Sequence, residues 1–261
     1  RYLLDGIMLL KGANPYAAAP DAVMFEDPAI AALIPMVNHG HLATIYPPAA
    51  QFVFAAGAFF GGIFGIKLVL VIMDLVVCFL IIRILPQLHL PASRAVLYAW
   101  HPLPIIEIAA SGHIDTAAVC FLMLSLTMTL YGIRIPNQGN GGTRASMTSV
   151  RWEGILVTVA AGACFAAAVL VKWVPLLFLP GVLLLLLHGN FRIGIYWIVG
   201  CATAAFGMTA PFWPEIKNSF TTLSVYLAHW EFSGFVFRML RETTGSGRTA
   251  RLILAACGAA A

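Results

Sequence analysis

Long apolar runs are the feature that most limits what this chain can fold into. The clearest runs cover residues 66–85, 94–111, 116–133, 152–171 and 194–212. A helix needs about 20 apolar residues to cross a bilayer, and these runs are close to that length. Of the 261 residues, 61% are hydrophobic and 10% are charged, whereas a soluble domain carries roughly 25% charged residues. The sequence therefore predicts an all-α, polytopic membrane helix bundle.

A single membrane domain accounts for the whole chain, residues 1–261. Residues 1–65 are expected to form a hydrophilic loop followed by an apolar, glycine-rich helix at 48–64, which is long enough either to span or to lie along the interface. About six membrane segments are expected within 66–212, including a shorter proline-containing run at 175–188. A second loop follows at 213–248, and 249–261 begins a further span. Because the chain starts without methionine and stops inside an apolar run, we expect it to be truncated at both ends.

The distribution of charge predicts an orientation. Arginines mark the connections near 83–94, 134–151 and 188–193, and positively charged loops stay on the cytoplasmic side. Eight of the 11 acidic residues lie instead in 1–47, at Asp115 and in 213–248. These parts are therefore expected on the outer side, which requires that 48–64 does not cross. The predicted fold thus has an extracytoplasmic first loop and juxtamembrane helices.

The stretch "SGHID" at 111–115 interrupts two apolar runs with polar residues. Asp115 stands where it could cap the helix that follows and suit its dipole. His113 and Asp115 are two residues apart and cannot share a helix face, but in a turn both could point into one cavity. Glu107 could border that cavity. Asp74 is more simply a contact within the bundle, because a carboxylate at mid-span costs roughly 2.5–3.5 kcal/mol unless it is paired.

Two further regions carry polar groups next to apolar ones. Lys172 lies in "LVKWVPLLFLP", where its ammonium group could snorkel to the interface or bind a phosphate at the membrane surface. The loop 213–248 contains "YLAHWEFSGFVFRMLRE", whose aromatic residues suit an interfacial anchor. The same residues could form a lid over a sugar site, with Trp230 and Glu231 in its wall.

Three motifs in order resemble a known family. The opening "RYLLDGIMLLKGANPYAAAP" is similar to the first outer loop of polyprenol-phosphate-dependent glycosyltransferases of the GT-C superfamily, especially bacterial mannosyltransferase-like members. "TIYPPAAQFVFA" resembles their juxtamembrane helix, and "SGHID", "KWVPLLFLP" and "WEF" resemble later landmarks. The resemblance is spread over residues 1–240. It implies a multi-span inner-membrane enzyme with an extracytoplasmic active site, which moves a hexose such as mannose from a polyprenyl-phosphate-linked donor to a hydroxyl of a glycan, lipid or protein.

The resemblance also implies roles for residues of this chain. These enzymes carry an essential carboxylate just before the "RY" motif, a position that would precede Arg1, and the tryptophan of their pattern is Leu4 here. That upstream carboxylate is the expected general base, with Asp5 as the alternative, whereas Asp115 and His113 are expected to position the acceptor or the donor. Within the chain the site candidates are therefore Asp115, His113 and Asp5 for catalysis, Lys172 and Arg1 for the donor phosphate, and Tyr2, Asn14, Tyr16, Tyr46, Glu107, Trp230 and Glu231 for substrate. No cofactor is expected, and the sequence leaves open whether a divalent metal is needed.

Two other classes of protein compete with this interpretation. A transporter or lipid-carrier flippase would also place charges inside a bundle, but it predicts functional residues near the midplane and repeat symmetry between halves, and the sequence has neither. A non-catalytic membrane scaffold gives no reason for the first-loop motif. Nucleic acid is not expected as a partner, because the net charge of +4 is small and scattered. The expected partners are the lipid-linked donor, the acceptor and membrane lipids.

Overall fold

A computed structural model describes residues 1–134, 152–187, 191–229 and 235–260, and within these ranges the chain forms helices and loops without strands. The longer helices are α1 (Tyr2–Leu10), α2 (Pro48–Phe59), α3 (Gly62–Ile84), α4 (Asp115–Arg134), α5 (Trp152–Val171), α6 (Leu179–Leu187), α7 (Phe191–Thr209), α8 (Lys217–His229), α9 (Phe235–Thr244) and α10 (Gly247–Ala260). The chain divides into two compact units, Arg1–Phe220 and Thr221–Ala261. The all-helical prediction is confirmed for the described residues.

Among the described residues, four helical stretches are long and apolar enough to cross a membrane. They are Gly62–Leu88, Asp115–Gly132, Trp152–Val171 and Phe191–Phe212. The prediction of a membrane protein is confirmed at this level. Helix α2 has 12 residues, which reach about 18 Å at 1.5 Å per residue, well short of the roughly 30 Å hydrocarbon core. Helix α2 is therefore too short to cross a bilayer alone.

The run at 94–111, expected to be one continuous span, is a chain of short helical pieces. These are Ala92–Ala95, Val96–Ala99, Pro102–Pro104 and a wide helical turn at Ile105–Ala110. The interruption falls at His101, whose backbone is extended with φ −70° and ψ 129°. Pro102 explains it, because proline lacks an N–H group and disfavours helical backbone in the residue before it. The His101 ring then caps the next turn, accepting a hydrogen bond from the Leu103 N–H at 3.2 Å.

Despite this interruption, the segment runs back along α3. Tyr98 Oη donates to Asp74 Oδ1 at 2.7 Å, halfway along α3. Ala110 comes twelve residues after Tyr98, and its carbonyl accepts a hydrogen bond at 2.7 Å from Nζ of Lys67, which lies near the start of α3. The segment is therefore antiparallel to α3 and returns the chain to the end at which α3 begins. The Tyr98 hydroxyl supplies the partner that a mid-span carboxylate needs.

Small residues set the spacing of α5 and α7. A Cβ atom on Gly162 would overlap the Trp197 carbonyl of α7, and one on Gly200 would overlap the Val159 carbonyl of α5. In a bilayer such close backbone approach replaces the hydrophobic drive that packs soluble helices. The core formed by α4, α5, α6 and α7 contains Leu122, Ala161, Phe165, Ala168, Val182, Leu186, Ile193 and Trp197.

A second apolar cluster joins α2 to one end of the bundle. It contains Phe54 of α2, Leu70 of α3, Ile114 and Ala117 at the start of α4, and Val171 at the end of α5. The side chains of Tyr2 and Tyr46 pack against the same cluster. The N-terminal segment, the turn at 111–115 and the end of α5 therefore lie at one end of the bundle. This is the arrangement on which the predicted site depends.

The loop between α1 and α2 is fastened to the bundle through Tyr16, which is fully buried. Its hydroxyl donates to the Tyr46 carbonyl at 2.5 Å, and its own carbonyl accepts from Asn218 Nδ2 at 2.8 Å. The Tyr16 ring meets Phe212 edge to face, with 5.2 Å between ring centroids. The first loop thus reaches the segment that follows α7, so both belong to the same end of the unit.

Candidate functional site

The turn between the helical piece Ile105–Ala110 and α4 places the polar residues of "SGHID". Gly112 has a φ of +75°, a backbone conformation that glycine adopts without strain. The amides of Gly112 and His113 close the turn on the carbonyls of Ile108 and Glu107, at 3.0 and 2.8 Å. The chain can therefore reverse within four residues and begin α4 at Asp115. A tight turn was predicted here from the sequence.

Asp115 forms an ion pair with Lys172 across the end of the bundle. Lys172 Nζ donates to Asp115 Oδ1, and the two side chains are 44% and 54% exposed. The carboxylate occupies the first turn of α4, where the helix dipole favours negative charge. An ion pair this exposed contributes at most about 1 kcal/mol to folding. It can open without disturbing the fold, and both charged groups are accessible from outside.

His113 pairs with Glu107 on the other side of the same turn. The distance from His113 Nε2 to Glu107 Oε2 is 3.3 Å, and both side chains are about half exposed. Glu107 belongs to the wide helical turn at Ile105–Ala110, so the pair joins the two arms of the reversal. The sequence predicts that Glu107 borders the cavity of His113 and Asp115, and in the structure Glu107 lies beside His113.

Lys67 is a residue at this turn that the sequence analysis missed. Its ammonium group donates to the Ala110 carbonyl at 2.7 Å, and its side-chain carbons lie next to Gly112. Two ammonium groups, those of Lys67 and Lys172, therefore contact the two ends of the 110–115 segment. The only signal in the sequence was a lysine at the start of an apolar run, which was counted as part of a membrane span.

Arg1 and Asp5, two other predicted site residues, bind each other. The distance from Arg1 Nε to Asp5 Oδ1 is 3.0 Å, and the Asp5 side chain is fully buried. Arg1 Nη1 also donates to the Leu42 carbonyl at 2.9 Å. Burial raises the pKa of Asp5 above its ordinary value, against the opposing effects of Arg1 and of a hydrogen bond from Thr44. Asp5 thus ties α1 to the first loop and is not accessible to a substrate.

Replacing Asp5 with asparagine should make the stability of the protein depend less on pH. The folded state holds the Asp5 proton more tightly than the unfolded chain does, because burial raises this pKa. The stability that the protonated Asp5 contributes is fully present below about pH 4, near the ordinary pKa of aspartate. It is lost as the pH rises through the raised folded-state pKa. Thermal unfolding in detergent should show the wild type losing stability relative to D5N between acid and neutral pH.

The control for this measurement is Glu26→Gln, which removes an exposed acid from the same loop. Its unfolding curve should follow that of the wild type at each pH. Wild-type and D5N curves that stay parallel over the whole range would contradict the burial argument.

The predicted substrate-binding residues of the first loop fall into two groups. Tyr2 and Tyr46 are partly buried side by side, with ring centroids 5.1 Å apart, and Tyr2 stacks on Phe54 at 4.3 Å. Asn14 instead supports the loop itself, because its Oδ1 accepts from the Tyr16 amide at 3.0 Å. Its Nδ2 donates to a carboxylate oxygen of Glu215 at 3.3 Å. Two further candidates, Trp230 and Glu231, lie outside the described residues.

The turn at 110–115 therefore offers a carboxylate held by an exchangeable ammonium partner, a second ammonium group and a histidine paired with an acid. Such a set can accept a proton and bind an anion at the same place. Among the described residues, no group of three or more histidine, cysteine or acidic side chains is arranged to hold a metal ion.

Comparison with protein-family models, with curated proteins and with solved structures found no match to this chain.

Proposed function

We propose that this protein is a membrane glycosyltransferase that moves a hexose from a polyprenyl-phosphate-linked donor to an acceptor hydroxyl. Mannose is the first candidate for this hexose. The reaction would take place on the extracytoplasmic face of the inner membrane, at the turn that carries Asp115. The observation that carries this proposal is the exposed Asp115–Lys172 ion pair at the end of the bundle. A glycosyl transfer from a lipid phosphate needs both a proton acceptor and a cation, and this pair supplies one of each.

Lys172 is the proposed binding group for the donor phosphate. It directly follows the last residue of α5, so its ammonium group lies where a membrane helix ends and where a lipid-linked phosphate would lie. Binding of the phosphate replaces Asp115 as the partner of Lys172, which frees the carboxylate at that moment. Lys67 adds a second ammonium group at the other end of the turn and stabilises the same anion.

The chemical step is a displacement at the anomeric carbon of the sugar. The acceptor oxygen forms a bond to this carbon while the bond from the carbon to the phosphate oxygen breaks. The proton of the acceptor hydroxyl passes to the carboxylate of Asp115, and the bonding electrons leave with polyprenyl phosphate, whose new charge Lys172 and Lys67 stabilise. In the proposed reaction His113, held by Glu107, orients the acceptor or the donor sugar.

The rest of the fold supports this assignment through its arrangement. Tyr2 and Tyr46, from the two first-loop motifs that resemble GT-C glycosyltransferases, pack on the same apolar cluster as the start of α4. Helix α2 is too short to span and lies against that cluster, as a juxtamembrane helix would. Asp5 is buried against Arg1, so among the described candidates Asp115 is better placed than Asp5 to receive a proton from an acceptor.

A transfer assay tests the proposal. Membranes from cells that express the full-length protein are incubated with radiolabelled polyprenyl-phosphate mannose and, separately, with polyprenyl-phosphate glucose. We expect label from the mannose donor to appear in a new glycan, lipid or protein product, and control membranes without the chain to lack it. Absence of transfer from either donor would overturn the proposal. Movement of the intact donor across the bilayer without sugar transfer would favour a flippase instead.

A further inference from the structure

The second unit carries an exposed surface that the proposed reaction does not use. It contains the part of α8 from Thr221 onward and the helices α9 and α10, and the last two are joined through Gly245 with a φ of +67°. Phe237 of α9 and Ala250 of α10 are buried between them, and the guanidinium of Arg251 stacks over the Phe237 ring at 5.6 Å. These contacts account for one apolar face of α9 and leave another uncovered.

The uncovered face of α9 consists of Phe235, Val236 and Met239, which are 76%, 50% and 48% exposed. At 100° per residue they fall within an arc of about 100°, so they form one continuous strip. Arg238 borders the strip and is exposed. A strip of large apolar side chains next to an exposed cation is typical of helices that lie in a membrane interface.

Charge identifies the kind of surface that fits this strip. Between residues 235 and 260 the sequence has four arginines, one glutamate and no lysine or aspartate. Arg238 on α9 and Arg248 on α10 are both exposed. A second copy of the chain packed symmetrically on the strip would bring the same arginines together, which costs energy. An anionic bilayer surface covers the apolar strip and attracts the arginines at the same time.

We propose that the helix pair α9–α10 docks on an anionic phospholipid surface through Phe235, Val236 and Met239, with Arg238 and Arg248 bound to lipid headgroups. This inference is independent of the glycosyltransferase proposal, because none of these residues belongs to the Asp115 turn. It also sharpens the sequence-based expectation of an aromatic anchor, since it names the lipid charge that the anchor requires.

The test uses the whole chain in lipid nanodiscs. The five cysteines are replaced by alanine and an environment-sensitive fluorophore is attached to cysteine at position 236 (Val236→Cys). Nanodiscs contain either phosphatidylcholine alone or an equimolar mixture with phosphatidylglycerol. In the anionic discs we expect blue-shifted emission and protection from iodide quenching, and both should weaken as salt screens the headgroup charge.

Charge variants make the test quantitative. R238Q/R248Q should lower the ratio of protected to quenchable label about fivefold for each arginine removed, whereas R238K/R248K should preserve it. E242Q, which removes the single acid of α9–α10, should raise the ratio instead. R94Q, a matched change at an exposed arginine of the first unit, should leave it unchanged.

Equal emission and quenching in the two kinds of nanodisc would overturn the proposal. So would protection that appears only when two copies occupy one disc, because the strip would then be covered by protein. If R238Q/R248Q does not fold, E242Q serves as the test, because it keeps the exposed strip and both arginines. An unchanged ratio of protected to quenchable label in E242Q would then also contradict docking on anionic lipid.

Discussion

Replacing Asp115 with asparagine is expected to abolish sugar transfer while the protein still folds and inserts. In the proposed reaction this carboxylate receives the proton of the acceptor hydroxyl, and loss of such a group costs about 10²–10⁴-fold in rate. The amide of asparagine is similar in size but cannot take up a proton. The fold should tolerate the change, because the ion pair with Lys172 is about half exposed and contributes little to stability. Transfer from the radiolabelled donor, measured at equal amounts of inserted protein, checks this result.

The chain offers a matched control for this substitution. Asp27 forms an ion pair with Lys11 in the first loop at 2.9 Å, with side chains 42% and 54% exposed. Like Asp115, it is a partly exposed aspartate whose partner is a partly exposed lysine. Asp27→Asn should leave transfer unchanged. Wild-type turnover in D115N would remove Asp115 from the site. Equal losses in D115N and D27N would show that the effect comes from breaking an ion pair, not from losing a catalytic group.

The helical part of the fold was predictable because it depends on composition over about 20 residues. Helices α3, α4, α5 and α7 each coincide with a predicted apolar run, with ends displaced by a few residues. The run at 94–111 was expected to be one continuous helix, but it is a series of short pieces. Apolar content indicates that a segment suits the bilayer, but it does not show that the backbone is continuous. The interruption itself had a signal in the sequence, since "HPLP" at 101–104 puts two prolines inside the run.

The site was less predictable because its pairs join distant parts of the chain. Asp115 and Lys172 were each singled out, but 57 residues separate them, and only the packing of α4 beside α5 brings them together. Asp5 was selected for its motif, and its burial depends on the return of the loop at Leu42–Thr44. Lys67 lies inside the predicted apolar run 66–85 and belongs to no motif, and its contact with Ala110 depends on the antiparallel return of residues 92–110.

Replacing Lys172 with methionine should weaken both the binding of the lipid phosphate and the transfer. Methionine keeps much of the side-chain length and removes the charge. We expect kcat/KM for the donor to fall about 10²–10³-fold, the loss typical of a group that stabilises the charge of a transition state. K172R should recover part of the activity, because a guanidinium group keeps the charge but presents it in a different geometry. Lys11→Met, which breaks the equivalent exposed pair with Asp27, should have no effect.

Binding of the product polyprenyl phosphate distinguishes the two members of the Asp115–Lys172 pair. If the phosphate takes the place of Asp115 on Lys172, removing the carboxylate charge removes a competitor for the ammonium group and a repulsion against the anion. D115N should then bind polyprenyl phosphate more tightly than the wild type, by up to about fivefold, in line with the limit of about 1 kcal/mol for an exposed pair, although it transfers no sugar. K172M should bind the same lipid more weakly. A weaker affinity in both variants would mean that the pair acts as one structural unit, because only a true exchange of partners shifts the two affinities in opposite directions.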